Sequence, residues 1–127
     1  MLHPFINTAV HSHDAPLLTA AWVEQYFTSY FPSPGDRRSI TASPGLMSAD
    51  QAKLYLPSIT VITSEIDGLR DQGEDFARLL QKAGADVGVV RAVSSMHDFE
   101  IFNASRSSPT AKLIMTMIAG KLKEVLL

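Results

Sequence analysis

The central part of the chain contains two apolar runs separated by an amphipathic segment. Residues 58–65, SITVITSE, carry β-branched side chains at every position from 59 to 63. A continuous run without polar alternation is typical of a strand that is covered on both faces. Residues 86–93, DVGVVRAV, form a second run of this kind, and residues 70–83 between them have apolar side chains on one helical face, with Gly84 where the helix would end. The order strand, helix, strand predicts a βαβ unit with parallel strands and a right-handed crossover.

A helical pattern precedes this unit. In residues 14–30, Asp14 can cap a helix and Pro16 suits its first turn, where a missing N–H costs nothing. Apolar and aromatic side chains then recur at helical spacing. We expect this aromatic stripe, which includes Trp22 and Tyr26, to lie in a core or an interface rather than to line a substrate site.

Two further helix starts complete the predicted elements. Ser48 and Gln51 stand in capping-box register, ahead of a short helix that stops before Pro57. Ser108 is a candidate cap, and Pro109 a first-turn residue, for a final helix with a long apolar stripe. The predicted fold class is α/β, with a short parallel sheet flanked by helices in a single domain over residues 1–127.

The composition of the chain argues against several classes of protein. The 127-residue chain is 46% hydrophobic, has a formal net charge of −2 and contains no cysteine. Because the basic residues are scattered, we expect neither nucleic acid nor an anionic membrane surface as a partner. The lack of cysteine excludes disulfides and thiolate zinc sites and fits a reducing compartment. The N-terminal residues lack the features of a secretory signal, and no apolar run approaches the roughly 18 residues of a membrane span, so a cytoplasmic location is expected.

Two charged clusters directly follow the predicted strands. Glu65, Asp67 and Asp71 come after the first strand, and His97, Asp98 and Glu100 come after the second. Parallel α/β sheets gather functional groups at the carboxyl ends of strands, so Asp67 and His97 are expected at the same edge of the sheet. A carboxylate bonded to one imidazole nitrogen fixes the tautomer and makes the other nitrogen a better base. The pattern predicts an Asp67–His97 dyad, although a capping aspartate and a loop histidine would have the same spacing.

The remaining histidines are a weaker candidate site. His3, His11 and His13 lie near Asp14, which could suggest a metal ion, but no second cluster has the spacing of metal ligands. We therefore expect surface histidines here, with no metal and no cofactor.

The residues from Leu56 to Phe99 resemble a known family. They contain Leu56-Pro57, an apolar strand, EIDGLRDQG, a helix, Ala83-Gly84, a second strand and HDF. This order resembles the C-terminal part of the α/β-hydrolases of the hormone-sensitive-lipase type (alpha/beta hydrolase fold-3), which include many microbial esterases and the arylacetamide deacetylases. The upstream HDAPLL, Trp, Tyr and SPG elements look like the segment that follows the nucleophile strand in that family.

The resemblance implies a fold, an activity and two site residues. The fold would be a partial α/β-hydrolase, and the activity would be that of a carboxylic-ester hydrolase acting on a small-molecule ester or a related metabolite. Asp67 matches the position of the triad acid and His97 that of the triad base.

The chain also departs from the family pattern. No serine lies in Gly-x-Ser-x-Gly, the motif that carries the nucleophile, and the His-Gly-Gly loop that supplies oxyanion-hole N–H groups is missing. The family glycine after the histidine is Asp98 here, which places a charge beside His97. Because removing a triad serine lowers turnover by roughly six orders of magnitude, we expect little ester hydrolysis by this chain alone.

Three functions remain as hypotheses. The first hypothesis is that the chain is a hydrolase-family member that retains the acid and the base, and that the serine lies on another polypeptide or has been lost. Alternatively, it is a small stand-alone isomerase or cyclase that uses the dyad for proton transfer on a small metabolite. The third hypothesis is a non-catalytic remnant or dimerisation module. A short sheet leaves exposed edges, so we also expect a homo-oligomer or association with another chain.

Overall fold

The structure, a computed structural model, describes residues 15–99 and 107–126. Its helices are α1 (Ala20–Tyr30), α2 (Ala49–Tyr55), α3 (Arg70–Lys82) and α4 (Pro109–Leu126), and its strands are β1 (Ile59–Ile66) and β2 (Val87–Met96). Short 3₁₀ turns at Asp36–Arg38 and Pro44–Leu46 lie between α1 and α2. Strands β1 and β2 pair in parallel, with Ile59 opposite Val87. The predicted α/β class and the parallel βαβ unit are therefore confirmed.

Helices cover both faces of the two-stranded sheet. Helix α3 contacts both strands on one face, and α4 contacts β2 on the other. On the α3 face, a Cβ atom added at Gly73 would lie 3.1 Å from Thr63 Cγ2, so glycine allows this helix to approach β1 closely. On the α4 face, the buried side chains are Ala92, Phe99, Ala111 and Ile114. The predicted dyad residues lie at the carboxyl end of this sheet.

The local signals that the sequence gives from Ser48 onward are confirmed. Ser48 and Gln51 form a reciprocal capping box at the start of α2. Helix α3 ends as expected, because Gly84 follows it with a φ of 77°, a left-handed conformation that glycine adopts without a Cβ clash. At the start of α4, the hydroxyl of Ser108 accepts a hydrogen bond from the Ala111 N–H at 3.0 Å.

The predicted start of the first helix is wrong. Helix α1 begins at Ala20, and the hydroxyl of Thr19 accepts the Trp22 N–H at 3.4 Å. Leu17 has a φ of 70°, a left-handed conformation, so the chain at Pro16 is not yet helical. Asp14, the predicted cap, lies outside the described residues.

Several large apolar side chains on β2 and α1 remain exposed to solvent. Val93 on β2 is 60% exposed, and Trp22 and Tyr26 on α1 are 51% and 59% exposed. The aromatic stripe is therefore not part of a core within the described chain, and its expected role in an interface stays a prediction. None of the helices in ranges 15–99 and 107–126 is both long and apolar enough to cross a lipid bilayer.

Candidate active site

Asp67 and His97 lie at the same edge of the sheet. Each is the residue that directly follows its strand, since β1 ends at Ile66 and β2 at Met96. Because the strands are parallel and adjacent, their carboxyl ends meet, as the sequence analysis expected. Asp67 Oδ2 lies 3.0 Å from His97 Nδ1, within hydrogen-bonding distance.

A bulge in β2 makes this meeting possible. Ser64 pairs with Ala92, but Ile66 pairs with Met96, so β2 has two more residues than β1 within this interval. With the regular register continued, Asp67 would lie opposite Ser95 instead of His97. β-Bulges near functional sites re-aim side chains in this way. The sequence pattern did not predict the bulge, because β-branched and small residues continue across it.

The carboxylate of Asp67 is held on both oxygens. Oδ1 accepts the Leu69 N–H at 2.8 Å, and Oδ2 faces the imidazole of His97. The Asp67 side chain is 11% exposed and that of His97 is 31% exposed. A deprotonated carboxylate can only accept a hydrogen bond, so the Nδ1 of a neutral His97 carries the proton and Nε2 is free to act as a base.

A second carboxylate lies on the other side of the imidazole. Asp98 Oδ2 is 3.7 Å from His97 Nε2, beyond hydrogen-bonding distance but close enough for an electrostatic interaction. Asp98 has a φ of 53°, in the left-handed region where glycine is most readily accommodated and where aspartate is tolerated better than most residues. This backbone conformation gives a physical reason for a glycine after the histidine in the family pattern.

Glu65 links the two strand ends a second time. Its Oε2 accepts the Ser94 N–H at 2.6 Å, and its main-chain carbonyl accepts a bond from Arg70 Nη1 at 2.7 Å. Arg70 in turn donates through Nε to Asp71 Oδ1 at 2.9 Å, in the first turn of α3. Glu65 is predicted from the sequence to follow the strand, but it lies within β1, one residue before the strand ends, and its contacts with Ser94 and Arg70 are not predicted.

Glu74 is a buried carboxylate that the sequence analysis missed. It lies on α3, is 8% exposed, and accepts two bonds from Arg91 on β2, at 2.8 and 2.7 Å. Hydrogen bonds from Arg91 hold the pKa of Glu74 below its ordinary value of 4.5. A signal was present in the sequence, because Arg91 interrupts an otherwise apolar strand, and a charged residue in a run of this kind favours a partner of opposite charge. Glu74 and Arg91 join α3 to the sheet and do not contact the dyad.

The structure does not test the weaker metal hypothesis. His3, His11, His13 and Asp14 lie outside the described residues. Within ranges 15–99 and 107–126, no group of three or more histidine, cysteine or acidic side chains is arranged to hold a metal ion.

Comparison with known proteins identifies the family. The sequence profile of a family described as alpha/beta hydrolase fold matches residues 1–101. This chain therefore belongs to the α/β-hydrolase family. A protein named esterase from Fusarium pseudograminearum is 32% identical over 111 residues, an alignment that covers 87% of this chain and 34% of that protein. The resemblance inferred from the sequence is confirmed at the level of the family.

Solved structures show the same relationship. Carboxyl esterase 2 from the fungus Tuber melanosporum superposes with a TM-score of 0.87 at 30% identity, over 95% of this chain and 39% of that chain. A structure from a study of two esterases from Rhizomucor miehei has a TM-score of 0.73 at 40% identity, over 84% of this chain and 32% of that one. The chain thus adopts part of the α/β-hydrolase fold, and it spans about a third of the length of the curated relatives it matches.

Proposed function

We propose that this chain provides the acid–base part of a carboxylic-ester hydrolase, with Asp67 as the triad acid and His97 as the triad base. The observation that carries the proposal is the 3.0 Å contact between Asp67 Oδ2 and His97 Nδ1, at the carboxyl ends of adjacent parallel strands. Two features support it further: esterases are among the relatives and structural neighbours, and Asp67 is fixed by a second bond from the Leu69 N–H.

The chemistry follows from the orientation of the imidazole. His97 Nε2 accepts the proton of a serine hydroxyl while the serine oxygen bonds to the carbonyl carbon of the ester. The imidazolium then gives that proton to the oxygen of the leaving alcohol. Water repeats the two steps on the acyl-enzyme, which releases the carboxylic acid and restores the serine. Asp67 remains ionised throughout and stabilises the imidazolium through Nδ1–H.

The serine and the oxyanion N–H groups would come from a polypeptide segment that this chain does not contain. The sequence has no Gly-x-Ser-x-Gly motif, and the chain aligns with only about a third of the length of its relatives. A nucleophile and its oxyanion donors together supply most of the rate enhancement of such an enzyme. Hydrolysis therefore requires that the segment carrying them lie beside the dyad, whether that segment belongs to the same polypeptide or to another.

Exposed apolar side chains support such an association. Ile66, next to Asp67, is 48% exposed, and Val93 on β2 is 60% exposed. On α1, Trp22 and Tyr26 are each more than half exposed and lie 6.0 Å apart between ring centroids. Covering such surface contributes about 25 cal/mol per Å² of apolar area. We propose a hydrolase segment bearing the nucleophile as the partner; a second copy of this chain would cover apolar surface without supplying the serine.

Co-expression tests this function. The chain is produced together with the polypeptide encoded directly upstream, and the purified material is assayed on a short-chain p-nitrophenyl ester. We expect an upstream Gly-x-Ser-x-Gly segment and turnover only when both components are present. The His97→Ala variant is expected to lose turnover by roughly six orders of magnitude, and Asp67→Asn by about four, as for other serine hydrolase triads.

A matched variant separates catalysis from a general effect of charge. Asp75→Asn removes one carboxylate from the exposed face of α3 and is expected to leave turnover unchanged. Turnover that survives His97→Ala would refute the assignment of the base. Efficient hydrolysis by the chain alone would show that no second segment is needed, and absence of turnover in a stable complex of both polypeptides would rule out the hydrolase function.

A further inference from the structure

The bulge in β2 is the structural feature on which the dyad depends. Two extra residues between Ala92 and Met96 bring His97, rather than Ser95, beside Asp67. Any contact that fixes the bulge therefore also fixes the direction from which the imidazole approaches the carboxylate. Within the described residues, Glu65 on β1 makes such a contact, with the N–H of Ser94 in the bulge.

The conformation of Ser94 explains why the bulge needs a partner. Ser94 has a φ of 54°, a left-handed conformation that a residue with a Cβ seldom adopts. Such a conformation persists when the surrounding structure holds it in place. The Ser94 N–H lies 2.6 Å from Glu65 Oε2, a short bond of the kind that an ionised acceptor makes. The carboxylate thus satisfies the amide that the bulge removes from the regular strand ladder.

Glu65 is itself well placed to transmit this constraint. It lies two residues before Asp67, and its main-chain carbonyl accepts a bond from Arg70 Nη1 at 2.7 Å. One segment of the chain therefore carries both carboxylates, one bonded to the bulge and the other to the imidazole. The two bonds fix the β2 end at Ser94 and at His97, three residues apart.

We infer that Glu65 is a positioning residue, whose carboxylate holds the Ser94 bulge so that His97 Nδ1 faces Asp67. This role rests on the proposed function of the dyad, since positioning matters to catalysis only if His97 is the base. The hydrogen bond to the Ser94 N–H, and not simply the negative charge of Glu65, holds the bulge. An uncharged side chain that can still accept the Ser94 N–H should preserve the geometry.

Nuclear magnetic resonance of the imidazole tests the inference on the isolated full chain. The signals of His97 are distinguished from those of the other histidines by the His97→Ala variant. In the wild-type protein we expect a hydrogen-bonded Nδ1–H resonance and a single dominant tautomer with the proton on Nδ1. Glu65→Ala is expected to abolish that resonance and to mix the tautomers, and Asp67→Asn is expected to do the same. Glu65→Gln keeps an acceptor oxygen at the same reach and is expected to restore both features.

Controls keep the outcomes distinct. Glu124→Gln removes a carboxylate from the exposed end of α4 and should leave the His97 signals unchanged. If Glu65→Ala does not fold, Glu65→Asp replaces it, because the charge stays but the side chain is one methylene too short to reach Ser94. A folded Glu65→Ala variant, or that Asp variant, with wild-type His97 signals would overturn the inference, as would equal loss in the Ala and Gln variants. If Asp67→Asn itself leaves the signals unchanged, the dyad and the proposed function fail instead.

Discussion

Glu74 gives the sharpest test of how the sheet and α3 are held together. Glu74 is 8% exposed, and its carboxylate accepts two bonds from Arg91 and one from the Thr63 hydroxyl at 3.3 Å. Replacing Glu74 with glutamine keeps the size of the side chain but removes the charge and one acceptor oxygen. One guanidinium N–H of Arg91 then faces an amide NH₂ group, so that two donors meet.

The expected loss of stability can be worked from these contacts. A hydrogen bond to a charged group contributes about 1.5–3 kcal/mol and a neutral one about 0.5–1.5 kcal/mol. In Glu74→Gln, one bond falls from the first class to the second and the other is lost. Because half of the Arg91 side chain is exposed, water can satisfy the released N–H, which offsets part of the loss. We expect the free energy of unfolding to fall by about 2 kcal/mol at neutral pH.

The dependence on pH makes the prediction specific to this carboxylate. The folded pKa of Glu74 lies below its ordinary value of 4.5, chiefly because of the hydrogen bonds from Arg91. Its ionisation therefore stabilises the fold fully above the unfolded pKa, and this contribution is lost as the pH falls through the folded pKa. Urea unfolding at a series of pH values should show the two proteins differing by about 2 kcal/mol near pH 7 and converging once the pH falls below the folded pKa of Glu74. An equal difference at all pH values, or none at neutral pH, would refute the reasoning, and Glu124→Gln on α4 is the exposed control.

Three other predictions concern single contacts and association. Asp98→Gly should raise the thermal midpoint, because glycine relieves a φ of 53° and contributes about 0.5–1 kcal/mol; a lower midpoint in thermal unfolding would contradict this. Ser48→Ala should lower the unfolding free energy by about 1 kcal/mol in urea titrations, since it removes the hydroxyl half of the α2 capping box. Light scattering should detect dimers or larger species, because β2 exposes Val93 and each of the two described strands has one edge without a partner strand. Val93→Lys should shift the population towards monomer. A wild-type chain that stays monomeric at high concentration would contradict this prediction.

The elements that the sequence predicts well are those fixed by local chemistry. The capping box at Ser48 and the left-handed Gly84 depend on residues within one helical turn, so composition and spacing suffice to predict them. The start of helix α1 was also predicted from local signals alone, and in this case they placed it too early. Pro16 is compatible with a first turn, but Leu17 is left-handed in the folded chain, and no residue type at that position signals it.

The site was predictable only in part, because half of its geometry comes from pairing between strands. To predict that Asp67 and His97 meet, one must predict that the two strands are parallel and where each of them ends. Their 3.0 Å contact also required a bulge of two residues, and Ser94 is an ordinary strand residue by type. A positive φ at serine is a tertiary effect, which neighbouring contacts enforce and local propensity does not reveal.

Among residues 15–99 and 107–126, the contacts that orient His97 lie within one βαβ unit. Asp67, the Leu69 N–H and the β2 bulge belong to consecutive segments of the chain, and α3 is joined to the sheet by Glu74. The hydrogen-bonded Asp67–His97 pair therefore keeps its geometry in a chain that spans about a third of the length of the relatives it matches. Under the proposed function, this βαβ unit supplies the hydrogen bond that orients the imidazole, and the segment that carries the serine supplies the group that His97 deprotonates.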